Sequence, residues 1–570
     1  TVEKPLSEIG FFRSAPDRVY PVRITVQSSS GAAKPIDSHM VFFAQPPEVP
    51  LQVALVIPLH SPSMYRRGTQ PNVVTSSSLS SAMDDGRLDR IVAAIEKNPD
   101  TPISISPTGL LIDMVGDLSN GFEFMNKGRR QTIESTDLRS VGAAQFLERL
   151  KRLAGRPATK TIAAPYSAAY LPGLVRNNLA GRAQDQVAQG RRRIQDGLAT
   201  APLEEWLVPS YGPLDERTLS EIRRTRVSRL LLDPQTVRAG SGPQLTPGLP
   251  VSLETRSGEV QGLLADPGLT SRFSQPEGVG PVEARQRFLA ETATILLEAP
   301  ARERAVAAVA PLTWSPSQDL AEIIITALGS APWLKLSTPD AILAEFSDEL
   351  VEQDLAPANV AREAGPEPPP AEYFLEIQNA QEAINDFAEM DPPQSRQALL
   401  AQRLLIAESA DWWRSEEEVA LGQSFAESVR PAVRSEFAKI DAPRRQAITL
   451  TSREGKIPLI IGSRLDYAVD VVVRLDSDKL SFPEGSEKKH RLQPRQQTLE
   501  VPTVAKASGT FPVLVRIETP DGTQIASSNL DVRSTAFNVV AVAITTGAAI
   551  FLVGWWMVGL ARRRLTHRIA

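Results

Sequence analysis

From Leu51 to about residue 345 the chain alternates between short apolar runs and longer amphipathic stretches. "LQVALVIPLH", residues 51–60, is almost wholly apolar, whereas "LDRIVAAIEKNP", residues 88–99, spaces its apolar positions by three and four. The first pattern predicts a strand buried on both faces, the second a helix with one buried face. The alternation then repeats. "TPISISPTGLLIDMV" predicts a strand and loop, "SVGAAQFLERLKRLAG" a helix stopping at Gly155, and "KTIAAPYS" a strand. One long polar helix, "GLVRNNLAGRAQDQVAQGRRRIQDGL", leads to a strand at "EEWLVPS", a helix at "LDERTLSEIRRTRV" and a strand at "SRLLLDP". The helix "ARQRFLAETATILLEAP" precedes a buried strand, "RAVAAVAPLTWSP", and a last helix, "SQDLAEIIITAL". Buried strands spaced by helices predict a parallel sheet, and this many units over roughly 300 residues predict a β/α barrel-like domain at 51–350. An open, doubly wound sheet is the alternative.

Other patterns flank that domain, so the expected fold is multidomain, α/β plus all-β. "RVYPVRITVQ" alternates, with Val22, Ile24 and Val26 on one face, and "HMVFFA" gives it a partner strand. A hairpin holds no core alone, so residues 1–46 read as the remnant of an N-terminal β-sandwich begun upstream of Thr1. Residues 355–372, "LAPANVAREAGPEPPPAE", read as a proline-rich linker. Residues 373–443 read as a helical domain anchored by Trp412 and Trp413. Residues 446–533 carry strands at regular spacing and a "PDG" turn, which predicts an immunoglobulin-like β-sandwich. Residues 536–561 hold no charged side chain and predict a transmembrane helix. Trp555 and Trp556 suit a membrane interface, and Arg562, Arg563 and Arg564, with His567 and Arg568, place the tail 562–570 in the cytoplasm.

Composition narrows the chemistry. The chain has 570 residues and no cysteine, which removes thiolate catalysis, disulfides and cysteine metal sites. Its four histidines, His39, His60, His490 and His567, form no HxxxH pair, so no metal site or cofactor is expected. A net charge of −5 without a concentrated basic excess argues against nucleic acid as a partner. The run Arg191, Arg192, Arg193 reads as a solvated helix face or a contact for an anionic polymer. The expected partner is the membrane, through one helix, with cell-wall glycan or a transmembrane envelope-assembly protein as a second.

The order of these segments, with "WLVPSYGPLDERTL", "PLTWSPS" at 311–317, "ITLTSREGKIPLIIGSRLDYAVDVVVRL" and the terminal helix, resembles an uncharacterised family of actinobacterial single-pass envelope proteins. Genes of that family often neighbour the one for the lipid II flippase. The resemblance spans essentially the whole chain and implies a role at the plasma membrane, with a large ectodomain outside. The barrel looks like those of glycoside hydrolases and polysaccharide deacetylases. The family has no established activity to carry over.

A deacetylase-type ion needs an aspartate and two histidines. His60 ends the first barrel strand, yet it has no histidine partner in the barrel and reads more simply as a hydrogen-bonded strand end. A glycosidase needs two carboxylates facing across a sugar. Asp233, ending "LLLDP", is the best-placed candidate acid, and Asp113, after "PTGLLI", is second. Glu204, Glu205 and Glu298 lie near other strand ends. Asp215 reads more simply as a helix cap and Asp266 as a turn residue. Related barrels carry an acid soon after the "PY" of "TIAAPYSAAYLPGL", where this chain has Ser167, Ala168 and Ala169. Ser167 has no histidine nearby in sequence to activate it. The expectation is therefore a barrel that binds rather than cleaves, with Tyr166, Tyr170, Trp206, Tyr211, Trp314 and His60 as candidate ligand-binding residues.

Overall fold

The computed structural model describes residues 5, 8, 15–25, 27–28, 31–32, 35–65, 73–74, 78–126, 129–238, 245–274, 279–535 and 538–566. The chain forms two compact units, residues 1–378 with 403–426, and residues 379–402 with 427–570. The helical stretch expected at 373–443 is thus divided between them.

Seven parallel strands organise the first unit: β1 (Leu51–Leu59), β2 (Ile103–Pro107), β3 (Thr159–Thr161), β4 (Trp206–Leu207), β5 (Arg229–Leu232), β6 (Val260–Leu264) and β7 (Ala305–Val309). All nine residues of β1 are buried, as a strand needs when helices cover one face and a barrel interior the other. β1 pairs with β2 and β7, β2 with β3, β4 with β5, and β5 with β6, always in parallel. Two single parallel bridges, Ala163 with Leu207 and Ala265 with Ala307, join the remaining edges. The pairing therefore runs round seven strands and returns to the first. Two further strands wedge into the amino-terminal halves of the seams, Val251–Leu253 against β6 and Leu334–Ser337 against β1.

Helices connect the strands: α1 (Arg87–Glu96), α2 (Gly109–Ser119) and α3 (Leu138–Ala154), then α4 (Leu171–Arg176), α5 (Ala180–Leu198) and α6 (Glu216–Arg223), and finally α7 (Pro281–Leu297) and α8 (Gln318–Ser330). "GLLIDMV", expected as loop, is the body of α2. Thr108 directly after β2 accepts a hydrogen bond from the Leu111 N–H and starts the helix at once. The single polar helix expected from residue 173 is two, α4 and α5. Asn178 between them takes a left-handed φ of 60°.

Side chains alternate along each strand. Val56 sits level with Ser104, Pro58 with Ser106, and Leu231 with Leu263. Val56, Leu231 and Leu263 belong with Trp206, Ala305 and Ala307 to one buried core, so this parity faces the barrel interior.

The amino-terminal strands Arg18–Ile24 and Ile36–Phe42 pair antiparallel. Ile24 is 50% exposed, and Val26 lies outside the described residues. The stretch expected as linker carries a short helix, Ala358–Ala364, whose Ala361 is buried.

The second unit holds β8 (Glu454–Ser463), β9 (Val469–Asp476), β10 (Glu487–Leu492), β11 (Arg495–Ala505), β12 (Gly509–Glu518) and β13 (Gln524–Ser534). β8 and β11 form the centre of a four-stranded sheet, and β13, β12, β9 and β10 lie side by side in a five-stranded one. Alternate residues are buried on the long strands, including Leu459 and Ile461 of β8 and Val513 and Val515 of β12, so each sheet buries one face. The "PDG" turn joins β12 to β13 with Gly522 at φ 103°, a conformation that favours glycine. A helix, Asn538–Thr566, ends the described chain. Its stretch Val542–Leu560 is the one segment among the described residues long and apolar enough to cross a membrane, with mean hydropathy 1.7 and none of it buried. It is compatible with single-pass anchoring. His567 and Arg568 of the tail lie outside the described residues.

Candidate functional site at the barrel mouth

The carboxyl ends of all seven strands converge on a cavity of about 520 Å³. Pro58, Ser106, Ala164, Val208, Leu231, Ala265 and Val309, one from each strand or its direct extension, line it with the loop residues Ser210, Tyr211, Gln235 and Pro311. Asp233 also lines it, two residues beyond the inward-facing Leu231. Among the described residues it is the one charged group in that lining. Its Oδ1 accepts the Gln235 N–H at 2.8 Å, capping a 3₁₀ turn over Pro234–Thr236. Burial pushes its carboxyl above the ordinary value, and the Gln235 bond offsets this only in part. No described lysine or arginine pairs with it.

The other proposed acids lie elsewhere. Asp113 is on α2, where the Tyr166 hydroxyl donates to its Oδ2 at 2.7 Å and Arg193 approaches within 3.4 Å. It does not line the cavity, and a guanidinium already holds it. Asp215 caps α6 through the Thr218 N–H at 2.8 Å, and Asp266 caps the helix Pro267–Arg272 through the Leu269 N–H at 2.7 Å. Glu205 accepts the Ser228 hydroxyl, and Glu298 holds the Thr246 N–H and Arg304.

Four of the five aromatic candidates are buried. Tyr166, Tyr170, Trp206 and Trp314 are 1%, 2%, 1% and 4% exposed, so none presents a free ring face to a sugar. Trp206 fills the barrel core. Trp314 donates its indole N–H to the Phe273 carbonyl at 2.9 Å, and the Tyr170 hydroxyl donates to the Ala361 carbonyl. Tyr211 alone of the five lines the cavity.

His60 is fully buried and bound on both ring nitrogens. Its Nε2 lies 2.7 Å from Asp411 Oδ2, and its Nδ1 lies 3.2 Å from the Thr108 hydroxyl. Asp411 also accepts from the Tyr211 hydroxyl at 3.0 Å and from Arg414 at 2.7 Å. Burial alone would push the Asp411 carboxyl up. His60, Arg414 and Tyr211 outweigh it and hold the group below its ordinary value. Among the described residues no three histidine, aspartate or glutamate side chains gather as a metal site.

The loop Ser167–Ala169 meets residues 405–410, just before Asp411. The Ser167 hydroxyl donates to the Leu405 carbonyl, Ala169 bridges Ser409, and the Ala410 N–H reaches the Ala168 carbonyl at 3.3 Å. Beneath it Glu408, fully buried, accepts from Arg182 at 2.5 Å and from Gln186 at 2.7 Å. Burial pushes the Glu408 carboxyl up, against the pull of Arg182. Glu408 and Asp411 are the polar residues that the sequence reading passed over. Their signal was two acids in "IAESADWW", directly after the apolar run "ALLAQRLLIA".

The chain belongs to the family of unknown function DUF6049, which matches residues 161–563. No curated protein shows significant sequence similarity to it. Among solved structures it is similar to the α-amylase AmyC of Thermotoga maritima, at 11% identity and a TM-score of 0.48 over 68% of this chain and 94% of that one. It is also similar to the 4-α-glucanotransferase of Thermococcus litoralis, at 10% identity and a TM-score of 0.48 over 82% and 85%. A putative polysaccharide deacetylase of Mycobacterium smegmatis matches at 10% identity and a TM-score of 0.35 over 55% and 96%. Identities this low assign no activity.

Proposed function

We propose that the chain is a single-pass protein of the cell envelope whose barrel mouth binds cell-wall glycan, or a transmembrane partner in wall assembly, without cleaving it. The observation that carries this reading is the lone carboxylate. Glycoside hydrolysis divides acid and nucleophile or base between two carboxylates set about 5–9.5 Å apart across the bond. Among the described residues the mouth offers Asp233 alone. Its other polar lining residues, Ser106, Ser210, Tyr211 and Gln235 among them, carry no carboxylate, while Asp113 lies outside the lining and is held by Arg193. On this reading the apolar helix anchors the chain in the plasma membrane, the arginines after it stay in the cytoplasm, and an immunoglobulin-like stalk of two sheets precedes it.

One observation favours hydrolysis instead. A carboxyl raised by burial, with no cation beside it, suits a general acid. The deciding experiment incubates the full chain in detergent with peptidoglycan fragments and α-glucans, measuring both reducing-end release and retention of the protein. Wild type and Asp233→Ala are run side by side. The expected result is no release from either, with wild type retained on one glycan. Release by wild type that vanishes in Asp233→Ala would make the chain a hydrolase and overturn the reading.

A further inference from the structure

The cavity lining has a chemistry that selects among ligands. Ser106, 1% exposed, faces inward on β2, level with Pro58. Its Oγ has no hydrogen-bond partner among the described residues, and neither does the Oγ of Ser210, a loop residue after β4. Buried hydroxyls are almost always paired, so an orphan on a cavity wall marks a place where something else supplies the bond. Both residues line the same cavity as Asp233, beside the apolar side chains of Val208 and Leu231. No described arginine, lysine or histidine lines it, so an anionic ligand would meet no counter-charge.

We propose that the mouth takes an uncharged saccharide, its hydroxyls bonded to Ser106, Ser210 and Asp233 and its C–H face laid on Val208 and Leu231. This rests on the binding reading above and names the ligand class. A sugar ring joins one apolar face to an edge of donors and acceptors, which matches a lining where apolar side chains stand beside polar ones, Ser106, Ser210, Tyr211, Asp233 and Gln235 among them. Uronic acids and phosphorylated sugars are excluded by the same lining.

Ser106→Ala and Ser210→Ala test this in the full chain in detergent. Removing an unpaired buried hydroxyl is neutral or stabilising for the fold, so lost binding in either variant is not lost folding; the melting temperature checks this. The probes are maltotriose and chitotriose as neutral trisaccharides and trigalacturonate as an acidic one, read by saturation-transfer NMR and titration. The expected result is that a neutral trisaccharide binds, trigalacturonate does not, and each alanine variant weakens binding about three- to tenfold, the worth of one hydrogen bond. Neutral sugar held equally by wild type and both variants, or tighter binding of trigalacturonate, overturns the proposal and leaves the glycan-binding reading standing. If wild type binds neither these trisaccharides nor the peptidoglycan fragments and glucans above, the binding reading falls and this assignment with it.

Discussion

Asp233 and Asp411 are both drawn away from water in the first unit, yet their surroundings move them in opposite directions. Asp233 has one backbone donor and no cation, so burial prevails and its carboxyl rises. Asp411 has His60, Arg414 and Tyr211 around it, so its carboxyl falls. The consequences for stability follow by linkage. A raised carboxyl holds its proton more tightly folded than unfolded. Its contribution is full below the unfolded value near 3.8 and is lost as pH rises through the folded one. Asp233→Asn keeps the cap to Gln235 and removes that loss. The variant should match wild type in denaturant near pH 3 and exceed it at pH 7. Asp411 carries the reverse sign. Its stabilisation is present above its unfolded value and vanishes as pH falls through the lowered one, so Asp411→Asn should be less stable than wild type at pH 7, the gap closing in acid. A parallel pH profile for the two variants would contradict these assignments. The Arg182–Glu408 pair is a sharper case. Arg182→Met strands a fully buried carboxylate and should lower stability by about 3–5 kcal/mol, measured by denaturant unfolding; Arg182→Met with Glu408→Leu should recover most of it.

The segment from Leu405 to Arg414 acts as a strap across the ends of β1 and β3. Polar bonds fix it through His60, Ser167 and Arg182, and Trp413 fixes it by packing. The Trp413 ring stands edge-on to Tyr170, 6.1 Å between centroids, and lies over Gly173 of α4. A β-carbon at Gly173 would come within 2.7 Å of that ring. Gly173→Ala should therefore lower stability by about 1–3 kcal/mol through overpacking. Hydrogen exchange should then quicken at residues 405–414 and not on β5 and β6. The strap also explains what was legible in the sequence. β1, α3 and α8 could be read because their own patterns decide their burial. β6 escaped because "EVQGLLAD" is short and follows the polar turn "ETRSGE", and its pairing with β5 and β7 does what its own pattern does not. The mouth aromatics misled for a related reason. Tyr166 and Tyr170 lie at a strand end, as the sequence indicates, but they are closed off by Asp113 and by the helix Ala358–Ala364, and Tyr170 also by Trp413 of the strap. Asp233 stayed readable because its role needs only β5 and the turn after it.

At the scale of the whole molecule the chain enters each compact unit twice, since residues 379–402 belong with 427–570 and residues 403–426 with the barrel. A domain boundary drawn from composition at 373 and 443 cuts through both. Within the second unit the Asp470 N–H donates to the Met390 carbonyl at 2.8 Å, and Arg491 pairs with Asp391 at 2.9 Å. Residues 446–533 made alone lack these partners. The carboxyl-terminal helix is a separate matter, because it rests on length and polarity rather than on packing. Val542–Leu560 spans 19 residues, roughly 28 Å at 1.5 Å per residue, close to a hydrocarbon core of about 30 Å. Ile550, near its middle, is 67% exposed among equally exposed neighbours, so an arginine there breaks no contact seen in the structure. In a bilayer the same change costs about 2.5–3.5 kcal/mol of insertion free energy. Ile550→Arg should thus leave the melting of the folded units unchanged while moving the chain from the carbonate-resistant membrane pellet toward the soluble fraction. Ile550→Leu should stay in the pellet. Equal fractionation of all three proteins would mean that the membrane is not what this helix was made to meet.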